Sequence, residues 1–193
     1  MISLLWTSLL IATNTKWKNE YCTTLINVLC HLSKISRSKY YLSYLGGVNL
    51  KIVVRECKTQ DYTDIVLLNK NEMGYEYPAE DTRKQLKQLL DNSNHKIYVA
   101  VVADKVVGYI HANNYELLYA PHLKNIMGIA VSSDFRKNGI GKMLLNEVET
   151  WAKGTGAYGV RLVSGATRIG AHAFYTSCGY DGNKEQKNFK KMF

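Results

Sequence analysis

The chain has 193 residues, 46% of them hydrophobic and 21% charged, enough for one globular domain with a real core. Its net charge of +9 suits an anionic partner, but the lysines are scattered and no basic strand or helix is interleaved with aromatics, which argues against a nucleic-acid binder. Cys22, Cys30, Cys57 and Cys178 form no Cys-x-x-Cys pair and no spacing with histidines, so neither a structural zinc nor a disulfide framework is expected, and reduced thiols in a cytoplasmic protein are the plain reading.

Residues 1–49 are unlike the remainder. The apolar stretch from Ile2 to Ala12 is shorter than the roughly 20 residues that a bilayer span needs. It also lacks the basic start of a secretory signal, so no membrane association is expected. Cys22, Leu25, Ile26, Val28 and Leu29 cluster as a weakly amphipathic helix would place them. Three accounts fit residues 1–49: a partner-binding appendage, a poorly packed N-terminal extension, or a segment not translated natively, with Leu50 as the start. Residues 50–193 then form the one expected domain.

Within that domain, Leu50–Glu56 alternates and is β-branched, which predicts a first strand. Thr59 is a plausible N-cap for a helix through about Met73, interrupted by Gly74 and Pro78. A second helix is predicted from about Ala79 to Asp91, with acidic residues in its first turn. His95–Ala103 and Val106–Asn113 read as a hairpin turning at Asp104-Lys105, and Lys124–Val131 as the next strand. A helix over Gly139–Lys153, a strand over Tyr158–Val163, a helix over Arg168–Cys178 and a closing strand over Lys187–Phe193 complete the pattern. Interleaved strands and helices predict an α/β fold with a mixed sheet in three layers.

The most informative stretch is the junction between the strand ending at Val131 and the next helix. A strand, a Gly-containing basic turn and a helix N-terminus make an anion site, because the first helical N–H groups lack intrahelical partners and the helix dipole favours negative charge there. Gly139 and Gly141 let the backbone come close to a ligand, and Arg136, Lys137 and Lys142 add positive charge. A Walker A loop is excluded, since Lys142 is followed by Met143 and position 136 is not glycine. A dinucleotide fingerprint fails at Leu144, where its third glycine belongs. The remaining pattern is Arg-x-x-Gly-x-Gly, matched by Arg136, Gly139 and Gly141.

That motif resembles the acetyl-CoA pyrophosphate loop of the GNAT superfamily of N-acetyltransferases. Ala171, Phe174, Tyr175, Gly179 and Tyr180 are similar to a second signature of the same family, at the same distance from the loop. The resemblance spans residues from about 50 to 193 and implies a three-layer α/β/α GNAT-type mixed sheet whose central strands splay apart around the cofactor. It implies acetyl transfer from acetyl-CoA to a primary amine by direct attack, with no metal. Backbone groups of Ile129, Ala130 and Val131 would pair with pantetheine. Arg136, Lys137, Asn138, Gly139, Ile140, Gly141 and Lys142 would carry the pyrophosphate, with only the amides of Lys137 and Asn138 contributing. Tyr175 falls on the family's general-acid tyrosine.

The base is less legible. The strand before the loop lacks the family's glutamate, and Glu116, His111 and His122 are the nearest candidates, with Glu116 taken as the base. Because that glutamate is missing, a non-catalytic CoA-binding or regulatory module is the alternative. Glu72, Tyr75, Glu76, Tyr77, Glu80 and Asp81 form an acidic, aromatic segment suited to a cationic amine acceptor, or equally to a solvated helix start. The oligomeric state stays open, a homodimer included.

Overall fold

The computed structural model describes residues 38–45 and 48–193. The readings made for residues 1–37 lie outside the described residues. A six-stranded sheet runs in the order β1 (Lys39–Leu45), β2 (Val48–Glu56), β3 (His95–Val102), β4 (Lys105–Leu117), β5 (Ala120–Val131) and β6 (Gly159–Leu162). The first five strands are antiparallel neighbours, and β6 joins β5 in parallel, as a strand reached through a helical crossover must. The helices are α1 (Tyr62–Leu68), α2 (Ala79–Leu90), α3 (Ile140–Gly154) and α4 (Ile169–Ser177).

Period-two alternation along the strands divides the core in two. Ile52, Val54, Ala100, Ile110 and Ile126 point to the face covered by α3, where they meet Ile140, Leu144, Leu145 and Val148. Ile97, Val99, Val101, Tyr109 and Ala130 point to the opposite face and meet Ile65, Leu68 and Leu86 of α1 and α2. Helices on both faces of a mixed sheet give the expected α/β layers. The splay falls between β5 and β6. Only Leu123–Ile126 pair with Gly159–Leu162, so residues 127–131 of β5 have no partner on β6.

Three elements differ from the sequence reading. The strand expected first is second, because Lys39–Leu45 pairs antiparallel with it along its whole length. The sheet therefore begins inside the segment read as an extension. The closing strand over Lys187–Phe193 does not form: residues 181–193 carry no regular structure, and Phe189 and Phe193 are exposed. The single helix expected from Thr59 to Met73 is a 3-10 turn, then α1, then a π turn over Asn69–Met73. The Tyr75 N–H reaches back to the Asn69 carbonyl at 3.0 Å, and Gly74 at φ +74° ends the helix.

Candidate active site

The turn after β5 is held from within. Lys137 (φ +63°) and Gly139 (φ +76°) both adopt left-handed backbone, which swings the chain into α3. Position 139 suits glycine for that reason. Asn138 is buried, and its Nδ2 donates to the carbonyls of Phe135 (3.2 Å) and Arg136 (3.1 Å). The Asn138 side chain, which the motif treats as a bystander, is thus the staple of the turn. Ile140 is buried in the core and anchors the helix start. The first i to i−4 bond of α3 runs from the Met143 N–H to the Gly139 carbonyl at 3.0 Å, so the amides of Ile140, Gly141 and Lys142 have no intrahelical acceptor. Lys137 and Lys142 are exposed beside them.

Gly141 plays a part that the motif does not reveal. A Cβ there would stand 2.9 Å from Cζ of Phe174 on α4. The missing side chain lets the two signature segments pack against one another. Tyr175 is next in the chain after Phe174, with ring centroids 5.3 Å apart, and lies 6.0 Å from the Tyr180 ring. Burial raises the Tyr175 pKa above the ordinary tyrosine value, partly offset by Arg168. Its hydroxyl therefore stays protonated throughout the neutral range and can only donate a proton.

The π turn reaches this loop from the other side of the sheet. A glutamate on it, Glu72, accepts the Ser133 N–H at 2.8 Å and pairs with the Arg136 guanidinium, whose Nε also donates to the Val131 carbonyl at 3.3 Å. The side chain that heads the motif is thus engaged by protein. Asn69 on the same turn accepts the Tyr109 hydroxyl, and Met73 approaches Gly128. A π turn inserts one residue and rotates the side chains beyond the insertion, which brings all three onto β4, β5 and the loop.

At the middle of β5 the pairing with β4 slips. His111 faces Gly128 and Ala112 faces Ile126, so Met127 has no partner on β4 and none on β6. This bulge leaves backbone groups of β5 outside the ladder where the strands part. Beside it, under α1 and α2, lies a cavity of about 190 Å³, whose lining includes Ile65, Leu86, Leu89, Ile97, Tyr109 and His111. Tyr109 and His111, two apart on β4, share that face. Nε2 of His111 lies 2.9 Å from Nδ1 of His95 on β3. Burial, reinforced by His95, pulls the His111 pKa down to about 4, so the ring is neutral at physiological pH. Burial likewise lifts Tyr109 to about 12.

Glu116 sits elsewhere. It is exposed near the tip of the β4–β5 hairpin, five residues beyond His111, or about 17 Å along an extended strand. Its charge acts on Lys124, which is buried under the Trp151 ring (4.0 Å) and donates to Asn114 at 2.6 Å. His122 lies in the same cluster, 3.3 Å from the Lys124 Nζ. Of the three base candidates, only His111 lines the cavity. Sequence reasoning missed its partner His95 and the roles of Asn69 and Glu72. The period-two spacing of Tyr109 and His111 was the one available signal. Among the described residues no cluster of histidine, cysteine, aspartate and glutamate is arranged to hold a metal, and no helix is long and apolar enough to cross a membrane.

This strand, loop and helix arrangement matches a known family. The acetyltransferase (GNAT) family model covers residues 62–180, well over half of the chain, and the chain belongs to that family. No curated protein matches it in sequence. Solved structures of similar fold include a transcriptional regulator from Bacillus halodurans C-125, at 20% identity and a TM-score of 0.66, covering 72% of this chain and 99% of that one. The aminoglycoside antibiotic 6'-N-acetyltransferase AAC(6')-IG from Acinetobacter haemolyticus matches at 17% identity and a TM-score of 0.64, over 72% of this chain and 98% of that one. The aminoglycoside N-acetyltransferase AAC(6')-Iy, in complex with CoA, matches at 14% identity and a TM-score of 0.68, over 76% and 99% respectively. At these identities the likeness is one of fold.

Proposed function

We propose that this protein is an acetyl-CoA-dependent N-acetyltransferase that acylates a primary amine by direct attack. The observation that carries the reading is the juxtaposition of three features: unbonded α3 amides, an unpaired β5 edge, and a cavity floored by a neutral histidine. The residues present fit acetyl-CoA. Amides of Ile140, Gly141 and Lys142, with Lys137 and Lys142 alongside, suit a pyrophosphate. The free edge formed by Ile129, Ala130 and Val131 suits the amides of pantetheine. When bound, acetyl-CoA supplies an activated acyl group on a thiol leaving group.

The remaining chemistry falls to side chains. The apolar lining of the half-open cavity and the absence of a carboxylate in it favour the neutral amine, which is the nucleophile. His111 accepts the proton released as the nitrogen forms its new bond, and His95 passes it outward through the shared hydrogen bond. In the tautomer this requires, Nε2–H of His111 donates to Nδ1 of His95, leaving Nδ1 of His111 as the proton acceptor. Tyr175 donates a proton to the departing thiolate and regains one from solvent, which offsets the proton released through His95. We assign the base to His111 rather than Glu116 because of their positions along β4. Calorimetric titration with acetyl-CoA, followed by a thiol-release assay over a panel of amines, tests this reading. Binding with amine-dependent thiol release supports it, binding without release leaves a CoA-holding module, and no binding by the folded chain removes it.

A further inference from the structure

Resting on that reading, we infer that the acceptor is a small monoamine with an apolar body, rather than a polycation. Ten residues line the cavity and none is aspartate or glutamate. Its polar members, Asn69, Thr82, Gln85 and Tyr77 among them, are uncharged. His111, its one readily titratable cation, is neutral. The cleft is about half open to solvent, so a cation there is only partly desolvated, but with no counter-charge in the lining a second cationic group gains nothing from it.

The acidic segment at the entrance does not alter this. Each of its four carboxylates is engaged by a cation of the protein itself. Glu72 pairs with Arg136, Glu76 with Lys70 at 2.7 Å, Glu80 with Arg83 at 2.6 Å and Asp81 with Lys84 at 3.7 Å. Paired charges present little net field to an arriving polyamine, and salt screens what is left. Size points the same way. A cavity of about 190 Å³ is smaller than the roughly 300–1,000 Å³ that drug-sized ligands occupy. The apolar lining from Ile65, Leu86, Leu89 and Ile97 rewards a compact hydrocarbon body.

The test is thiol release from acetyl-CoA with phenethylamine, spermidine and kanamycin as acceptors, on the full chain. We expect kcat/KM for phenethylamine to exceed that for either polycation by about tenfold or more, with little dependence on salt. Gln85→Glu, which puts a carboxylate into the lining, should raise kcat/KM for spermidine about fivefold and lower the phenethylamine preference. A wild-type preference for spermidine or kanamycin overturns the inference, and so does a chain that binds acetyl-CoA but acetylates none of the three. Acetyl-CoA titration of the same preparation separates the two levels. Failure to bind the cosubstrate removes the enzymatic reading itself, whereas binding with polycation preference removes only the acceptor class.

Discussion

The turn from β5 into α3 offers a ligand mostly backbone amides, while the cavity under α1 and α2 offers side chains drawn from α1, the π turn, α2, β3 and β4. The first region is set by a dozen consecutive residues, the second by pairs such as His95 with His111 and Asn69 with Tyr109, separated by 16 and 40 positions. Backbone sites tolerate side-chain change as long as the turn survives, because any residue supplies the amide. Side-chain sites change chemistry with each substitution. A cofactor common to many enzymes suits the first kind of site, and an acceptor particular to one enzyme suits the second.

The largest expected effect tests whether the donor region acts through a side chain at all. Tyr175→Phe should lower kcat by about 10²–10³-fold while acetyl-CoA affinity, read by calorimetry, stays within about twofold. A loss of affinity with kcat intact would mean that Tyr175 only packs beside Phe174. The acceptor region answers to His111→Asn, which should lower kcat/KM about 10²-fold. The same variant carries a stability signature. His111 titrates at about 4 in the folded chain against 6.5 unfolded, so between those values the unfolded state binds the extra proton. Wild-type stability then falls as pH drops from about 6.5 to 4, by about 3 kcal/mol in total, and is unaffected by this group above 6.5. Denaturant melts across that window should be visibly flatter for His111→Asn. An unchanged slope would place His111 in contact with solvent.

The same contrast explains which features were legible in the sequence. The loop was, because left-handed Gly139, the helix start and the flanking strand all leave local marks. The apolar runs of β3 to β5 marked them as strands. The reason for Gly141 was not legible, since it depends on Phe174, 33 positions away and packed against it only in the fold. Nor was the π turn over Asn69–Met73, since a single inserted residue leaves no mark in the helical pattern. Lys187–Phe193 failed in the opposite sense: it was expected as a strand and pairs with none of the described strands. The position of the base candidates was not legible either: Glu116 is the only carboxylate on that strand, yet it lies near the hairpin tip while His111 lines the cavity.

A smaller effect tests the turn as geometry. Gly139→Val forces a β-branched residue into φ +76°, a strain of about 1–2 kcal/mol that the turn can relieve only by moving its amides. Acetyl-CoA affinity should fall about tenfold, with the same weakening for CoA, and acceptor KM should be unchanged. A parallel rise in acceptor KM would show that the two regions are not separable.

The smallest effect lies where the regions touch. Glu72 belongs to the π turn but binds Ser133 and Arg136 of the loop, so it links acceptor-side structure to donor-side structure. Glu72→Gln keeps an acceptor for the Ser133 N–H and removes the charge opposite Arg136. Because the Arg136 side chain is 57% exposed, the ion pair contributes no more than about 1 kcal/mol, so KM for acetyl-CoA should shift about threefold and less at high salt. The direction is the informative part. If the pair serves to hold the loop in place, KM rises, and this is the expected result. If Arg136 is instead a phosphate ligand restrained by Glu72, freeing it lowers KM, and Arg136→Gln in the Glu72→Gln background would then weaken binding more than the same change in the wild type. The first outcome keeps the donor region a backbone site with Arg136 as a brace. The second makes it a side-chain site like the cavity, and the contrast between the two regions would narrow to the amides of α3 alone.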